Sequence, residues 1–267
     1  MSIEGTTFGF VGTGTMSAAI VKGLCTLPTP PKKVFLSPRN AAKAAQLAKD
    51  YNKLVTVSPS NQAVVDQSEV VFLGCLPAMT EQIATELRFT KHHTVISLVS
   101  TAPLESLKKW CSPATVVRAI PIPPVAYHAG SCVITPRHAL TEAIFHALGT
   151  AVAVDTEPEF QRMMLVTCLM GQIYSQQSAV QKWLESQGIK PEDASKWVGA
   201  VYHTITFEGK AAGPGLFEEL VAEQTPGGLN EQVIGVMRQG GAETALAKAM
   251  EMCLARIQGK KAPKARL

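Results

Sequence analysis

Two glycine-bearing turns hold the residues of this chain whose types and spacing can do chemistry. The first lies in Phe8-Gly9-Phe10-Val11-Gly12-Thr13-Gly14-Thr15-Met16-Ser17, an apolar run, a Gly-x-Gly turn and a helix-like start. Gly12 permits a tight turn. Gly14 leaves room for a pyrophosphate to reach the amides of a helix N-terminus, where Thr15 and Met16 stand. Ser17 replaces the third glycine of the dinucleotide fingerprint and is small enough for close helix–strand packing. The fingerprint gains its specificity from following a strand and opening a helix, as it does here. The next strand candidate ends Phe35-Leu36-Ser37-Pro38-Arg39-Asn40, with no acid to meet a ribose 2′-hydroxyl. Ser37 and Arg39 offer a hydroxyl and a guanidinium suited to a 2′-phosphate, which favours NADP over NAD.

The second turn is Thr225-Pro226-Gly227-Gly228-Leu229-Asn230, set between two helix-like runs. Proline and glycine there fit an ordinary helix–helix turn. They equally fit a loop whose amides, at the start of the next helix, hold a ligand. The residues alone leave both readings open.

Around these turns the first half alternates apolar strand candidates with helix-like segments. The strands fall at 7–11, 34–36, 55–57, 70–74, 94–99, 115–119, 132–135 and 152–154, with helices such as 16–24 and 41–51 between them. Continuous apolar strands alternating with helices indicate a parallel, doubly wound sheet. Beyond Asp155 the pattern is helical: one long run over 158–187, a start at Pro191-Glu192-Asp193, then 215–223, 230–239 and 242–258. The expected fold is an α/β Rossmann-type doubly wound sheet followed by an all-α C-terminal dimerisation domain. Its parts are an NADP-binding domain over 1–156, a helical substrate and dimerisation domain over 157–258, and a basic tail over 259–267.

The chain has 267 residues, 46% of them hydrophobic and 17% charged, enough for a sizeable core. The net charge of +4 belongs to Lys260, Lys261, Lys264 and Arg266, which leaves a neutral body and gives no support for a nucleic-acid surface. No apolar run is long enough for a membrane span. No basic segment followed by an apolar run opens the chain, so no signal peptide is expected and a cytoplasmic location is. The six cysteines are scattered singly, with no metal-ligand spacing, and read mostly as small core residues of a reducing compartment. The six histidines read mostly as surface. The ending Ala265-Arg266-Leu267 resembles a small–basic–Leu address for a peroxisome-like organelle.

The motifs together resemble the pyrroline-5-carboxylate reductases, the last enzymes of proline synthesis, over roughly residues 7–257. "GFVGTGTMSAAI" resembles that family's Gly-Phe-Ile-Gly-Ala-Gly-Asn-Met opening. "SEVVFLGCLP" and "TVISLVS" resemble its fourth and fifth strands, and "VVRAIPIPP" its Arg-x-Met-Pro-Asn-Thr-Pro segment. "QTPGGLNEQVIGVMRQGG" resembles its Ser-Pro-Gly-Gly-x-Thr loop and the helix that follows, the most specific of these matches. The resemblance implies that the second turn is a ligand-binding loop at a dimer interface. Thr225, Gly227, Gly228 and Leu229 would line the substrate, Asn230 would hydrogen-bond the imine nitrogen as the catalytic group, and Tyr174 would join them. It places Leu76, Pro77 and Pro121 at the cofactor. Several positions depart from the family. Ile122 and Pro123 replace its Asn and Thr, Leu76 replaces a Lys, Asn230 replaces a Thr, and Leu169-Met170-Gly171-Gln172-Ile173-Tyr174 replaces a Gly-rich helix start.

Reducing a cyclic imine needs a hydride placed over carbon and a proton on nitrogen, for which one hydrogen-bonding group suffices. The expected activity is therefore NADPH-dependent reduction of a cyclic imine, pyrroline-5-carboxylate or a related one. The alternative is a non-catalytic NADP-binding dimer that has lost its substrate site. The apolar stretch 163–170 suits a homodimer built through the helical half. No metal, nucleic-acid or membrane partner is expected.

Overall fold

The computed structural model describes residues 3–209 and 213–260, so Ala265-Arg266-Leu267 and most of the basic tail lie outside the described residues. The chain divides into two units, Met1–Met164 and Leu165–Leu267.

In the first unit eight strands make one sheet. They are β1 (Thr7–Val11), β2 (Lys33–Leu36), β3 (Val55–Val57), β4 (Val70–Leu73), β5 (Thr94–Ser97), β6 (Thr115–Pro121), β7 (Gly130–Thr135) and β8 (Gly149–Ala153). The helices among them are α1 (Thr15–Cys25), α2 (Ala41–Asp50), α3 (Asn61–Asp66), α4 (Thr80–Glu86), α5 (Leu104–Trp110), α6 (Ala139–Ala147) and α7 (Glu157–Met164). The spatial order is β3-β2-β1-β4-β5-β6-β7-β8. All neighbours pair in parallel except β6 and β7, which run antiparallel with Ala119 opposite Ile134. The sheet is doubly wound and mostly parallel as expected, and the one antiparallel pair follows from the length of its connection. Residues 122–129 hold only a short 3-10 turn at Pro123–Tyr127, and a parallel crossover needs a dozen residues or more.

Strand side chains alternate between the two faces of the sheet, and helices cover the central strands on both. Phe8, Phe10, Val70 and Phe72 turn to the side covered by α1, α2 and α6, while Val11, Val71, Leu73 and Val95 turn to the side of α3, α4 and α5. Phe10 and Phe72 stack at 4.6 Å between centroids, and Phe145 of α6 meets Phe72 edge-on at 6.5 Å.

Sequence reading ends the first part at residue 156, but α7 belongs with the sheet. Its Phe160 is fully buried and lies under the Arg118 guanidinium of β6, 4.5 Å from the ring centroid. Arg118 is itself buried and bonds Glu157 of α7, with further hydrogen bonds to the carbonyls of Val99 and Ser100 at 3.3 and 2.7 Å. The long helix expected over 158–187 is correspondingly broken. A 3-10 turn at Leu165–Cys168 separates α7 from α8 (Leu169–Ser186).

The second unit is wholly helical among its described residues: α8, α9 (Pro191–Glu208), α10 (Leu216–Ala222), α11 (Leu229–Gln239) and α12 (Ala242–Ile257). Pro191 opens α9 with Glu192 and Asp193 in its first turn, as the positive end of a helix dipole favours. Cys111 and Cys132 are buried in the core and Cys25 and Cys75 pack against it, while Cys168 is exposed and Cys253 intermediate. No described helix is long and apolar enough to cross a membrane.

Candidate functional site

At the carboxyl ends of β1, β2 and β4 lies a cavity of about 420 Å³. It sits where strand order reverses between β1 and β4, the place at which open α/β sheets bind ligands. Val11, Gly12, Thr13, Gly14, Ser37, Arg39, Asn40, Gly74, Cys75 and Leu76 are among its lining residues, and among the described residues no Asp or Glu lines it.

The cradle is made by backbone. Gly12 has φ of +98°, and a Cβ there would stand 2.5 Å from the Gly74 carbonyl oxygen. No L side chain fits that position, so β1 and β4 approach closely only through glycine. Gly14 is the N-cap of α1, without a side-chain cap, and the first turn of α1 has no acid. The positive end of the α1 dipole is therefore left for an anion. Ser17 fills the role expected of a small third residue: it is buried and packs on Gly74, and its Oγ has no hydrogen-bond partner among the described residues.

Ser37 lines the cavity but spends its hydroxyl on the turn. Its Oγ accepts from the Gly12 N–H at 2.9 Å, and its carbonyl accepts from Thr13 Oγ1 at 3.2 Å. The side chain is fully buried, so it shapes the Gly12 turn rather than reaching outward. Arg39 is exposed, and its Nη2 lies 3.2 Å from Met79 Sδ across the cleft. Asn40 caps α2 by accepting from the Lys43 N–H and donates to the Thr13 carbonyl at 3.2 Å. Lys43 Nζ reaches Thr15 Oγ1 at 3.5 Å at the head of α1. Arg39 thus lines the cavity, Lys43 stands beside Thr15 at the head of α1, and no carboxylate is among the cavity's lining residues. Sequence reading missed Lys43, although its place one turn into α2, after an N-capping Asn40, was legible.

Of the remaining expected cofactor residues, Leu76 is 65% exposed on the cavity wall. Pro77 opens a 3-10 turn beside it, Met16 packs into the core, and Pro121 ends β6 buried. Cys75, also unexpected, lies beside Gly74 with its Sγ 3.6 Å from Thr80 Oγ1.

In the second unit, Thr225, Gly227, Gly228, Leu229 and Asn230 share one turn. Gly227 has φ of +71°, and the Gly228 N–H donates to the Thr225 carbonyl at 2.9 Å. Gly228 is the N-cap of α11. Leu229 is 80% exposed. Asn230 Nδ2 donates to Gln224 Oε1 at 2.6 Å, so the amide expected to meet an imine is held by a neighbour. The Gly227 N–H donates to Glu231 Oε2 at 2.6 Å. Tyr174 is exposed on α8.

His92, His146 and His203 are exposed, while His93, His128 and His138 are half-buried. His128, at φ of +56°, places Nε2 2.9 Å from the Gly23 carbonyl. His138 caps α6, accepting from the Thr141 N–H at 3.3 Å, and burial pushes its pKa down despite nearby Glu142. Among the described residues no cluster could hold a metal ion.

Residues 7–101 match the family model of NADP oxidoreductase, coenzyme F420-dependent. The chain is similar to a pyrroline-5-carboxylate reductase of Synechocystis, 29% identical over 163 residues, which cover 58% of this chain and 59% of that protein. It spans about half the length of the curated relatives it matches. Its fold is similar to that of a pyrroline-5-carboxylate reductase from Coxiella burnetii, with TM-score 0.80, 23% identity and coverage of 96% and 99%. It is also similar to a Plasmodium falciparum pyrroline carboxylate reductase with NADP bound, with TM-score 0.79, 15% identity and coverage of 97% and 99%.

Proposed function

We propose that this chain, a divergent member of the pyrroline-5-carboxylate reductase family, is an NADPH-dependent reductase of the C=N bond of a small imine. The observation that carries the reading is the glycine cradle of Gly12 and Gly14 opening onto a cavity lined by Arg39 and no carboxylate, with Lys43 at the neighbouring head of α1. A turn closed to any Cβ at Gly12 and an uncapped helix N-terminus at Gly14 fit a pyrophosphate; two cations and an amide fit a 2′-phosphate.

Residues 12–15 would hold the pyrophosphate, and Arg39 and Lys43 the 2′-phosphate. Ser37 acts one step back, fixing the Gly12 amide. Bound NADPH supplies the hydride. The chain's part is orientation, exclusion of water and retention of the proton already on the imine nitrogen. A protonated imine accepts hydride at carbon and leaves as the amine, so no strong acid is required. Asn230, once released from Gln224, is the group proposed to face that nitrogen, with Thr225, Gly227, Gly228, Leu229 and Tyr174 as its surroundings. Pro77 and Pro121 remain proposed cofactor neighbours.

The second unit is proposed to form a homodimer. Trp183, Trp197, Phe207 and Phe217 are 61%, 66%, 67% and 60% exposed, large apolar side chains that a second copy would cover. The departures at Ile122 and Pro123 favour the second reading, a dimer that binds NADP without catalysis. Cofactor oxidation with a panel of cyclic imines separates the two. Turnover with NADPH well above that with NADH supports the reductase, and NADPH binding without turnover of any imine supports the second reading.

A further inference from the structure

The turn at the head of α11 supplies its own anion. Glu231, in the first turn of α11, brings Oε2 to 2.6 Å from the Gly227 N–H, and the Gly228 N–H is already given to the Thr225 carbonyl. Two of the amides that a ligand carboxylate would use are thus satisfied internally. The surrounding sequence adds no counter-charge. Between Lys210 and Arg238 stand Glu218, Glu219, Glu223 and Glu231, and no Lys, Arg or His. Arg238 itself pairs with Glu243 at 2.9 Å. The next side chain of the turn, Leu229, is apolar and 80% exposed. A carboxylate entering here would displace Glu231 from Gly227, lie beside it, and find no cation in this segment. A protonated imine without a carboxylate would meet the opposite situation: an acceptor for its N–H and an apolar side chain for its ring.

We infer that Glu231 is a specificity-determining residue, standing where a substrate carboxylate would bind, and that the substrate is a cyclic imine lacking a carboxylate. This rests on the reductase reading and sharpens it.

The test uses the full chain and two pairs of probes. Pyrrolidine and proline, the saturated counterparts, are titrated in the presence of NADP⁺ by calorimetry. 1-Pyrroline and pyrroline-5-carboxylate are offered with NADPH. The native chain is expected to bind pyrrolidine, and to turn over 1-pyrroline, up to about fivefold better than the carboxylated partner, the size of a like-charge penalty at an exposed site. Glu231→Gln keeps an oxygen for the Gly227 amide and removes the charge. In it both preferences are expected to fall to near parity, carried by KM for pyrroline-5-carboxylate rather than kcat. Thermal unfolding of the variant checks that the turn persists; were Glu231→Gln not to fold, the native chain's preference between the two ligands decides by itself. A native preference for proline or pyrroline-5-carboxylate overturns the inference, as do preferences unchanged in Glu231→Gln or failure to bind either saturated ligand. Selective pyrrolidine binding without turnover of either imine upholds the inference about the turn and removes the reductase reading instead.

Discussion

Replacing Gly12 and Gly14 separately by alanine distinguishes a glycine required by the fold from one required by a ligand. At Gly12 the backbone has φ of +98°, where an L residue costs about 1–2 kcal/mol. The new Cβ would also stand 2.5 Å from Gly74 O, 2.8 Å from Gly74 C and 3.1 Å from Cys75 N, all backbone atoms that cannot rotate away. Overpacking of that kind costs about 1–3 kcal/mol. Gly12→Ala therefore loses roughly 2–5 kcal/mol, a fall in Tm of about 4–20 °C for a unit of this size. At Gly14, φ is −78° and the nearest atom to a new Cβ is Gly74 O at 3.8 Å, an ordinary contact. Gly14→Ala is expected to keep its Tm within about 2 °C. Its methyl would nevertheless stand where a pyrophosphate approaches the amides of α1, so NADPH affinity should drop at least about tenfold. Thermal unfolding by circular dichroism and titration by NADPH fluorescence read the two quantities. A Gly14→Ala protein that binds NADPH as tightly as the native chain would refute the cradle, and a Gly12→Ala protein with native Tm would refute the steric argument.

Arg39→Ala should weaken NADPH binding by roughly 10- to 150-fold, the worth of a charge-assisted contact, and NADH binding far less; parallel titrations check it. Arg118→Met leaves Glu157 facing an apolar side chain and strands the Val99 and Ser100 carbonyls, at a cost of about 3–5 kcal/mol. Pairing it with Glu157→Met should recover in urea unfolding the share of that loss that comes from the unpaired Glu157 charge, while the share from the Val99 and Ser100 carbonyls remains. His138, and likewise His93, has its pKa depressed by burial, so the fold prefers both rings neutral. Their stabilisation is present above the unfolded value of about 6.5 and is lost as pH falls below it through the folded value. His138→Asn, which caps α6 without titrating, should flatten the decline of Tm between about pH 6.5 and 5.

The central strands were legible because they are short apolar runs buried on both faces, as Val70, Val71, Phe72 and Leu73 are. The reversal of β7 was also encoded, in the shortness of residues 122–129, but periodicity does not report strand direction. The break at Leu165–Cys168 had no local signal, since no Pro or Gly marks it; Phe160, Glu157 and Arg118 together decide that α7 stays with the sheet. In the cleft, glycine positions were readable because backbone geometry allows few other residues there. Side-chain aim was not readable: Ser37 has the type expected of a phosphate ligand, yet the nearby Gly12 amide takes its hydroxyl. Glu231 escaped attention because an acid in a helix first turn is ordinary, and only its bond to Gly227 gives it meaning.

The central claim, that this chain passes a hydride from NADPH to an imine carbon, is tested most directly with NADPH deuterated at the transferred position. Incubated with the full chain and a panel of cyclic imines with and without a carboxylate, it should yield at least one amine one mass unit heavier, with deuterium on the former imine carbon. Amine products without deuterium, or NADPH that binds yet leaves every imine unreduced, would contradict the account.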